Sequence, residues 1–238
     1  MNKLRIDVWS DIACPWCYVG KRRLEAGLAS CRKAGQVGEV EIVWRAFELD
    51  PDAPREQPAD VGYAERLARK YGCSVEQAEE MIARMSEVAR ADGLDFHFEL
   101  ARPGCTFDAH RLLHLARGRG VQDAVKERLL RGYLTEGEPI GQREALVRLA
   151  AEAGLDAQEA RSTLATDAYA NDVRADEHEA HRLGIQGVPF FVLGGRLAVS
   201  GAQPAPLLAR ALTQAWSDLE AGPEALGEGD ACGLEGCD

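Results

Sequence analysis

From Leu4 to Trp9 apolar and polar side chains alternate, Leu4, Ile6 and Val8 against Arg5 and Asp7. That two-residue period is the mark of a strand with one buried face. The pattern changes after SDIACPWC. Val19, Leu24 and Leu28 follow a helical spacing, which predicts a helix running to about Arg32 and stopping near Gly35. Glu41 to Phe47 then reads as a second strand. Strand, helix and strand in close succession form a βαβ unit, so the two strands are expected to be parallel.

A proline-rich connection, PDAPREQP, occupies Pro51 to Pro58. Beyond it helical signals dominate. Ser74 with Gln77 makes a capping box ahead of Val75, Ala78, Met81, Ile82, Met85 and Val88. Thr106 is a candidate cap for a helix carrying Leu112, Leu113 and Leu115. Val121–Leu134 and Glu144–Ala153 are amphipathic, Asp156 with Glu159 forms another capping box, and Asp167 opens a last helix ending at Gly184. Strand character returns at Val188–Leu193, Gly194-Gly195 is a two-residue hairpin signal, and Arg196–Val199 is its partner strand. Pro204–Trp216 reads as a closing helix. The class is therefore α/β: a βαβ…ββα unit split by a large all-helical insertion. The expected limits are 1–50 and 185–217 for the two parts of the unit, 51–184 for the insertion and 218–238 for a tail.

Composition narrows the function. The chain has 238 residues, 46% hydrophobic and 28% charged, the mix of a globular protein that can bury a core without disulfides. Its net charge of −11 argues against a nucleic-acid surface, which needs clustered Lys and Arg. The most apolar stretch, Ile185–Gly195, falls short of the roughly 20 residues of a spanning helix. Arg5, Asp7 and Asp11 interrupt any apolar leader, so the expected compartment is the cytoplasm, where thiols stay reduced. Seven cysteines, an odd number, do not read as a structural disulfide framework there.

Spacing then matters. Cys14-Pro15-Trp16-Cys17 follows a strand and opens a helix. Pro15 suits the first helical turn, leaving Cys14 at the N-cap, facing unpaired backbone N–H groups and the positive end of the helix dipole. Thiols at such sites ionise at about 3.5–7.5, against about 8.5 for a free cysteine. Cys14 is thus expected to be the exposed, acidic, attacking sulfur, and Cys17, one turn later, the resolving one. The competing readings are half of a zinc site, which needs about four ligands, and two inert buried cysteines.

SDIACPWCYVGKRRLE, WRAFEL, TFDAHRL, GVPFFV and SGAQP, in that order, resemble the DsbA-type thioredoxin-fold proteins, and among them the FrnE-type proteins. The resemblance covers about Leu4 to Trp216. It implies a thioredoxin fold split by a helical insertion, with the redox pair at Cys14 and Cys17 beside Pro15 and Trp16. It also implies a cis-proline loop at Val188-Pro189, whose backbone pairs with an extended substrate, and a groove lined in part by Phe107 and His110. One branch of the superfamily is similar to kappa-class glutathione transferases and 2-hydroxychromene-2-carboxylate isomerases. Those carry serine at the position of Cys14, so the intact CPWC favours dithiol chemistry.

The tail from Ser217 holds seven acids, five glycines and a second close pair, Cys232 and Cys237. Gly233 and Gly236 permit a tight loop closing a disulfide, so this pair is a candidate second redox centre exchanging electrons with Cys14/Cys17; incidental cysteines in an acidic tail, or zinc, are the alternatives. His110 and His114 lack the surroundings of a metal pair, and His178 and His181 read as a solvated helix face. Cys31, Cys73 and Cys105 read as structural. Asp11 reads as a helix-entry turn residue, with proton transfer at Cys17 as its other reading. The expectation is a thiol–disulfide oxidoreductase or isomerase for protein disulfides and dithiols, using no cofactor or metal, with glutathione or thioredoxin as electron partner. A glutathione-dependent isomerase or transferase and a holdase-like binding protein are the alternatives.

Overall fold

The computed structural model describes residues 2–55 and 61–221. Strand β1 (Lys3–Ser10) leads through helix α1 (Pro15–Lys33) to β2 (Glu39–Ala46). The two strands pair in parallel, Ile6 opposite Ile42 and Ser10 opposite Ala46, as a βαβ crossover requires. The chain returns to the sheet at β3 (Phe190–Leu193) and β4 (Leu197–Ser200), and closes with α9 (Ala205–Ala221). The strand order is β2-β1-β3-β4, with β3 antiparallel to β1 and β4 antiparallel to β3. This is a thioredoxin-type mixed sheet, and between β2 and β3 the described chain is helical: α2 (Tyr63–Tyr71), α3 (Val75–Ala91), α4 (Phe107–Gly118), α5 (Gln122–Leu134), α6 (Arg143–Glu152), α7 (Ala157–Ala165) and α8 (Ala170–Arg182).

The alternating positions of β1 do what their period requires: Leu4, Ile6 and Val8 are fully buried against Leu24, Leu28, Phe191, Leu208 and Leu212. The helical segment has its own core, built from α3 to α7, and Ile12, Tyr18 and Val19 join it. The N-terminal turn of α1 therefore sits where two cores meet. Two side chains fix that junction. Gln122 accepts from the Trp44 N–H at 3.0 Å and donates to the Trp44 carbonyl at 2.9 Å, so it pairs with the free edge of β2 as another strand would. Asp176 of α8 accepts from Arg45 at 2.7 Å and from the Ala46 N–H at 3.0 Å.

Local signals are largely met. Ser74 and Gln77 form the reciprocal capping box, and Asp156 accepts from the Glu159 N–H. Two local expectations are corrected. Thr106 occupies the N-cap of α4 but makes no side-chain cap, because its backbone is already helical (φ −92°, ψ −2°). The hairpin loop has three residues, since Leu193 pairs with Leu197. Gly194 and Gly195 take left-handed φ values of 60° and 70°, which strain any residue with a Cβ. Among the described residues no helix is long and apolar enough to cross a membrane.

Candidate active site at Cys14 and Cys17

Cys14 is the N-cap of α1, with extended backbone (φ −92°, ψ 112°), and Pro15 begins the helix. Cys17 follows one turn on, its N–H donating to the Cys14 carbonyl at 3.0 Å. Both are thiols. Cys14 is not the exposed sulfur expected from its position: it is 4% accessible, and Cys17 is fully buried. Trp16 is the part of the motif that reaches solvent. What covers Cys14 is the loop ahead of β3. The Val188–Pro189 peptide is cis, and the Cys14 thiol donates to the Val188 carbonyl at 3.6 Å. Pro189 packs on Gly20 of α1, where a Cβ would lie 2.8 Å from Pro189 Cγ, so only glycine admits this approach.

Cys14, Pro15 and Trp16 line an open cavity of about 1050 Å³ together with Tyr63, Phe98 and Tyr133. Phe107 and His110, expected in a groove, do not line it. Phe107 lies beneath the Arg174 guanidinium, 4.4 Å from ring centre to Cζ. His110 is buried, with Nε2 3.4 Å from Asp11 Oδ1. The reason is packing: α4 is buried on nearly every side, and His110 meets Asp11 within that packing.

The protonation of the pair also departs from the expectation. Cys14 makes no cap bond to the first helical N–H groups. Its thiol is raised well above the usual range, first by its hydrogen-bond coupling to Cys17 and then by burial. Burial pushes Cys17 up as well, but the Cys14 thiol, the Lys126 ammonium and the Ser10 hydroxyl more than offset it, and Cys17 falls below its ordinary value. The two sulfurs titrate as one coupled pair, which favours a single thiolate and resists a second.

Asp11 is a buried anchor and more than a turn residue. Oδ2 accepts from the Leu49 N–H at 2.8 Å, and Oδ1 faces His110. Burial pushes the carboxyl up, but His110, the Leu49 N–H and Lys126 hold it below the ordinary carboxylate value. The sequence reading left Lys126 aside. It is fully buried on α5, and its Nζ donates to the Ser10 carbonyl at 3.4 Å. The signal was present: Gln122, Val125, Leu129, Leu130 and Tyr133 make a buried helical stripe, and Lys126 lies inside it.

The other candidates lie elsewhere. Cys31 is buried between α1 and α9 and donates to the Ala209 carbonyl at 3.3 Å. Cys73 and Cys105 are partly buried thiols. Among the described residues no group of three or more His, Cys, Asp or Glu side chains could hold a metal. Cys232 and Cys237 lie outside the described residues.

Residues 5–213 match the DSBA-like thioredoxin domain. A solved structure described as a probable DsbA oxidoreductase from Streptomyces coelicolor is 46% identical, with a TM-score of 0.82 over 99% of this chain and 98% of that one. The uncharacterized protein YwbO of Bacillus subtilis is 27% identical over 80% of this chain and 87% of its own length. At the level of fold alone, the cytosolic disulfide reductase DsbM of Pseudomonas aeruginosa, solved with GSH, superimposes with a TM-score of 0.61 at 20% identity over 88% of this chain and 98% of that one. The helix-split thioredoxin sheet is thus matched across nearly the whole described fold, and the chain belongs to the DSBA-like thioredoxin domain family.

Proposed function

We propose that the protein is a thiol–disulfide oxidoreductase for disulfides and dithiols of protein substrates, with Cys14 as nucleophile and Cys17 as resolving thiol. The observation that carries this reading is the placement of the two sulfurs: Cys14 faces the cavity and Cys17 lies behind it. A substrate disulfide entering the cavity reaches Cys14 alone. Transfer of the shared charge from Cys17 to Cys14 makes the outer sulfur the attacking thiolate. It bonds to one substrate sulfur, and the other leaves as a thiolate that takes the proton of Cys17. Cys17 then attacks Cys14, the substrate's second sulfur departs, and the dithiol has given two electrons to the substrate. The reverse sequence oxidises a substrate dithiol.

Substrate backbone is expected to run beside Val188-Pro189, and Pro15 and Trp16 to contact it. The closer affinity to FrnE-type proteins, isomerase activity, a cytoplasmic location, and glutathione or thioredoxin as electron partner belong to the same proposal. So does a second exchange step through Cys232/Cys237, which deletion of Gly229–Asp238 tests by its effect on turnover. The central test is insulin reduction and reactivation of scrambled ribonuclease, run on one preparation with glutathione as redox buffer. Activity in either assay that is lost in Cys14→Ser supports the proposal; wild-type protein inactive in both removes it.

A further inference from the structure

The cavity beside Cys14 extends well past the dithiol, to α2 and α3 of the helical insertion. Its volume of about 1050 Å³ lies at the upper end of small-molecule sites, which run to about 1,000 Å³. Much of its lining is apolar. Met81, Ile82, Met85 and Val88 form a stripe at helical spacing along α3. The chain has three methionines, and the two after Met1 are both here. Methionine is unbranched and polarisable, so a surface built on it adapts to apolar side chains of different shapes. Trp16, Leu49 and Tyr71, three of the six large apolar side chains exposed among the described residues, line the same cavity. Such a concentration of exposed apolar surface marks a binding site.

The charge of this cavity is the reverse of the molecule's. The chain carries −11, yet Arg66, Arg69, Lys70 and Arg84 line the cavity, against Asp11 and Asp50. Asp11 is buried and engaged by the Leu49 N–H and His110, which leaves Asp50 as the exposed acid of the lining. Elsewhere arginines have carboxylate partners, as Arg22 has Glu127, Arg45 has Asp176 and Arg128 has Glu152. Among the described residues none of the four cations at the cavity has one. Arg66 donates to the Ala101 carbonyl at 3.5 Å and Arg84 to the Glu80 carbonyl at 3.4 Å. Arg69, Lys70 and Arg84 are exposed. Exposed ion pairs add little to stability, so leaving these cations unpaired burdens the fold little, but it sets a local potential that selects the sign of what enters.

We propose that this cavity selects the substrate by taking an extended acidic peptide segment with an apolar residue beside its reacting cysteine. The apolar side chain packs on the α3 methionines, and the carboxylates meet Arg69, Lys70 and Arg84. The proposal rests on the thiol–disulfide reading of the site and deepens it by naming the substrate class. Cys14 itself lines the cavity, so a segment seated there brings its own disulfide to the attacking sulfur. Arginine presents a planar fork of donors that matches a carboxylate, and lysine adds a point charge. Arg66, Arg69 and Lys70 lie on α2 and Arg84 on α3. The thioredoxin unit thus supplies the thiols, and the helical insertion supplies the selectivity.

The test measures binding without disulfide chemistry. Labelled peptides with serine in place of the reacting cysteine are titrated into the reduced full-length protein and followed by fluorescence anisotropy. One peptide has Phe beside the serine and flanking Glu residues, a second has Lys in place of Glu, and a third has Ser in place of Phe. At low ionic strength the Phe–Glu peptide is expected to bind about tenfold more tightly than either twin, and high salt to narrow the Glu–Lys gap alone. In the Arg69→Gln/Lys70→Gln/Arg84→Gln variant, shown to be folded by circular dichroism, the Glu–Lys gap is expected to fall to about twofold while the Phe–Ser gap persists. Each readout is a ratio between peptides, so a general change in the variant cancels. Equal affinity for the Phe–Glu peptide and either twin overturns the proposal, and so does a Glu–Lys gap that survives the triple substitution. Displacement of the Phe–Glu peptide by an equal concentration of oxidised glutathione also overturns it, because the occupant is then a small anion. Inactivity in the insulin and ribonuclease assays removes the proposed function, while these affinities still decide whether the cavity takes acidic segments.

Discussion

The Cys14 thiol donates to the Val188 carbonyl across 3.6 Å, joining the first turn of α1 to the loop that precedes β3. The attacking sulfur thus rests on the backbone that an extended substrate would approach. An extended substrate donating to the Val188 carbonyl would compete for this contact.

The two cysteines are expected to fail differently. Cys14→Ser should reduce insulin reductase activity to the uncatalysed background, since a hydroxyl does not replace a thiolate near neutral pH. Cys17→Ser should accumulate mixed disulfides with substrate, visible by non-reducing electrophoresis and mass spectrometry. Normal turnover in Cys14→Ser would contradict the assignment.

The shared charge makes a prediction about acidity. Cys14 is raised first by its hydrogen bond to Cys17 and then by burial. Removing the inner sulfur in Cys17→Ser leaves burial and Asp11 to oppose ionisation, so Cys14 should titrate at lower pH there than as the second step of the wild-type pair. Absorbance at the thiolate band and the rate of alkylation by iodoacetamide both report it.

Gly20→Ala places a Cβ 2.8 Å from Pro189 Cγ, inside any normal contact distance. The expected cost is about 1–3 kcal/mol by denaturant unfolding. Exchange with protein substrates should slow as well, because displacement of Pro189 moves the Val188 carbonyl off Cys14. Full exchange activity in the destabilised variant would separate the loop from catalysis.

Asp108 is buried among Arg55, Arg111 and Arg143. Burial pushes its carboxyl up, but Arg143, Arg55 and Arg111 hold it below its ordinary value. A lowered carboxylate stabilises the fold above its unfolded value and loses that contribution as pH falls through the folded one. Asp108→Asn should therefore cost about 3–5 kcal/mol at neutral pH, because Arg111 is left buried without its counter-charge. The gap to wild type should narrow below about pH 4. Equal stability at neutral pH would refute the account.

Glu48 has the opposite sign. Burial, opposed by Arg174 and reinforced by Glu177, raises its carboxyl to about 7. A raised carboxyl favours the fold below its unfolded value and loses that advantage as pH rises through 7. Arg174 is half exposed, so solvent screening reduces the effect. Glu48→Gln should match wild type near pH 5 and melt about 2–4 °C higher near pH 8, a change of about 1 kcal/mol. Parallel melting curves at the two pH values would refute it.

Much of this molecule is written in short stretches of chain. The alternation of β1, the Ser74–Gln77 box and the placement of Pro15 after Cys14 are local signals, and each produces the element it specifies, because period and capping depend on neighbours a few residues away. The close placement of Cys14 and Cys17 at the start of α1 is legible for the same reason. The state of that pair is not. The helix start alone suggested an exposed, acidic Cys14; the Val188 carbonyl lies against its sulfur, and Cys14 and Cys17 share one coupled titration in a buried site. His110 stood out as a groove residue, yet its partner is Asp11, brought up by the packing of α4 against the turn after β1. Phe107 was read with it and instead packs beneath Arg174. Burial and the field at a sulfur are sums over groups that meet only when the helical insertion closes onto the sheet, and no spacing in the sequence contains that sum.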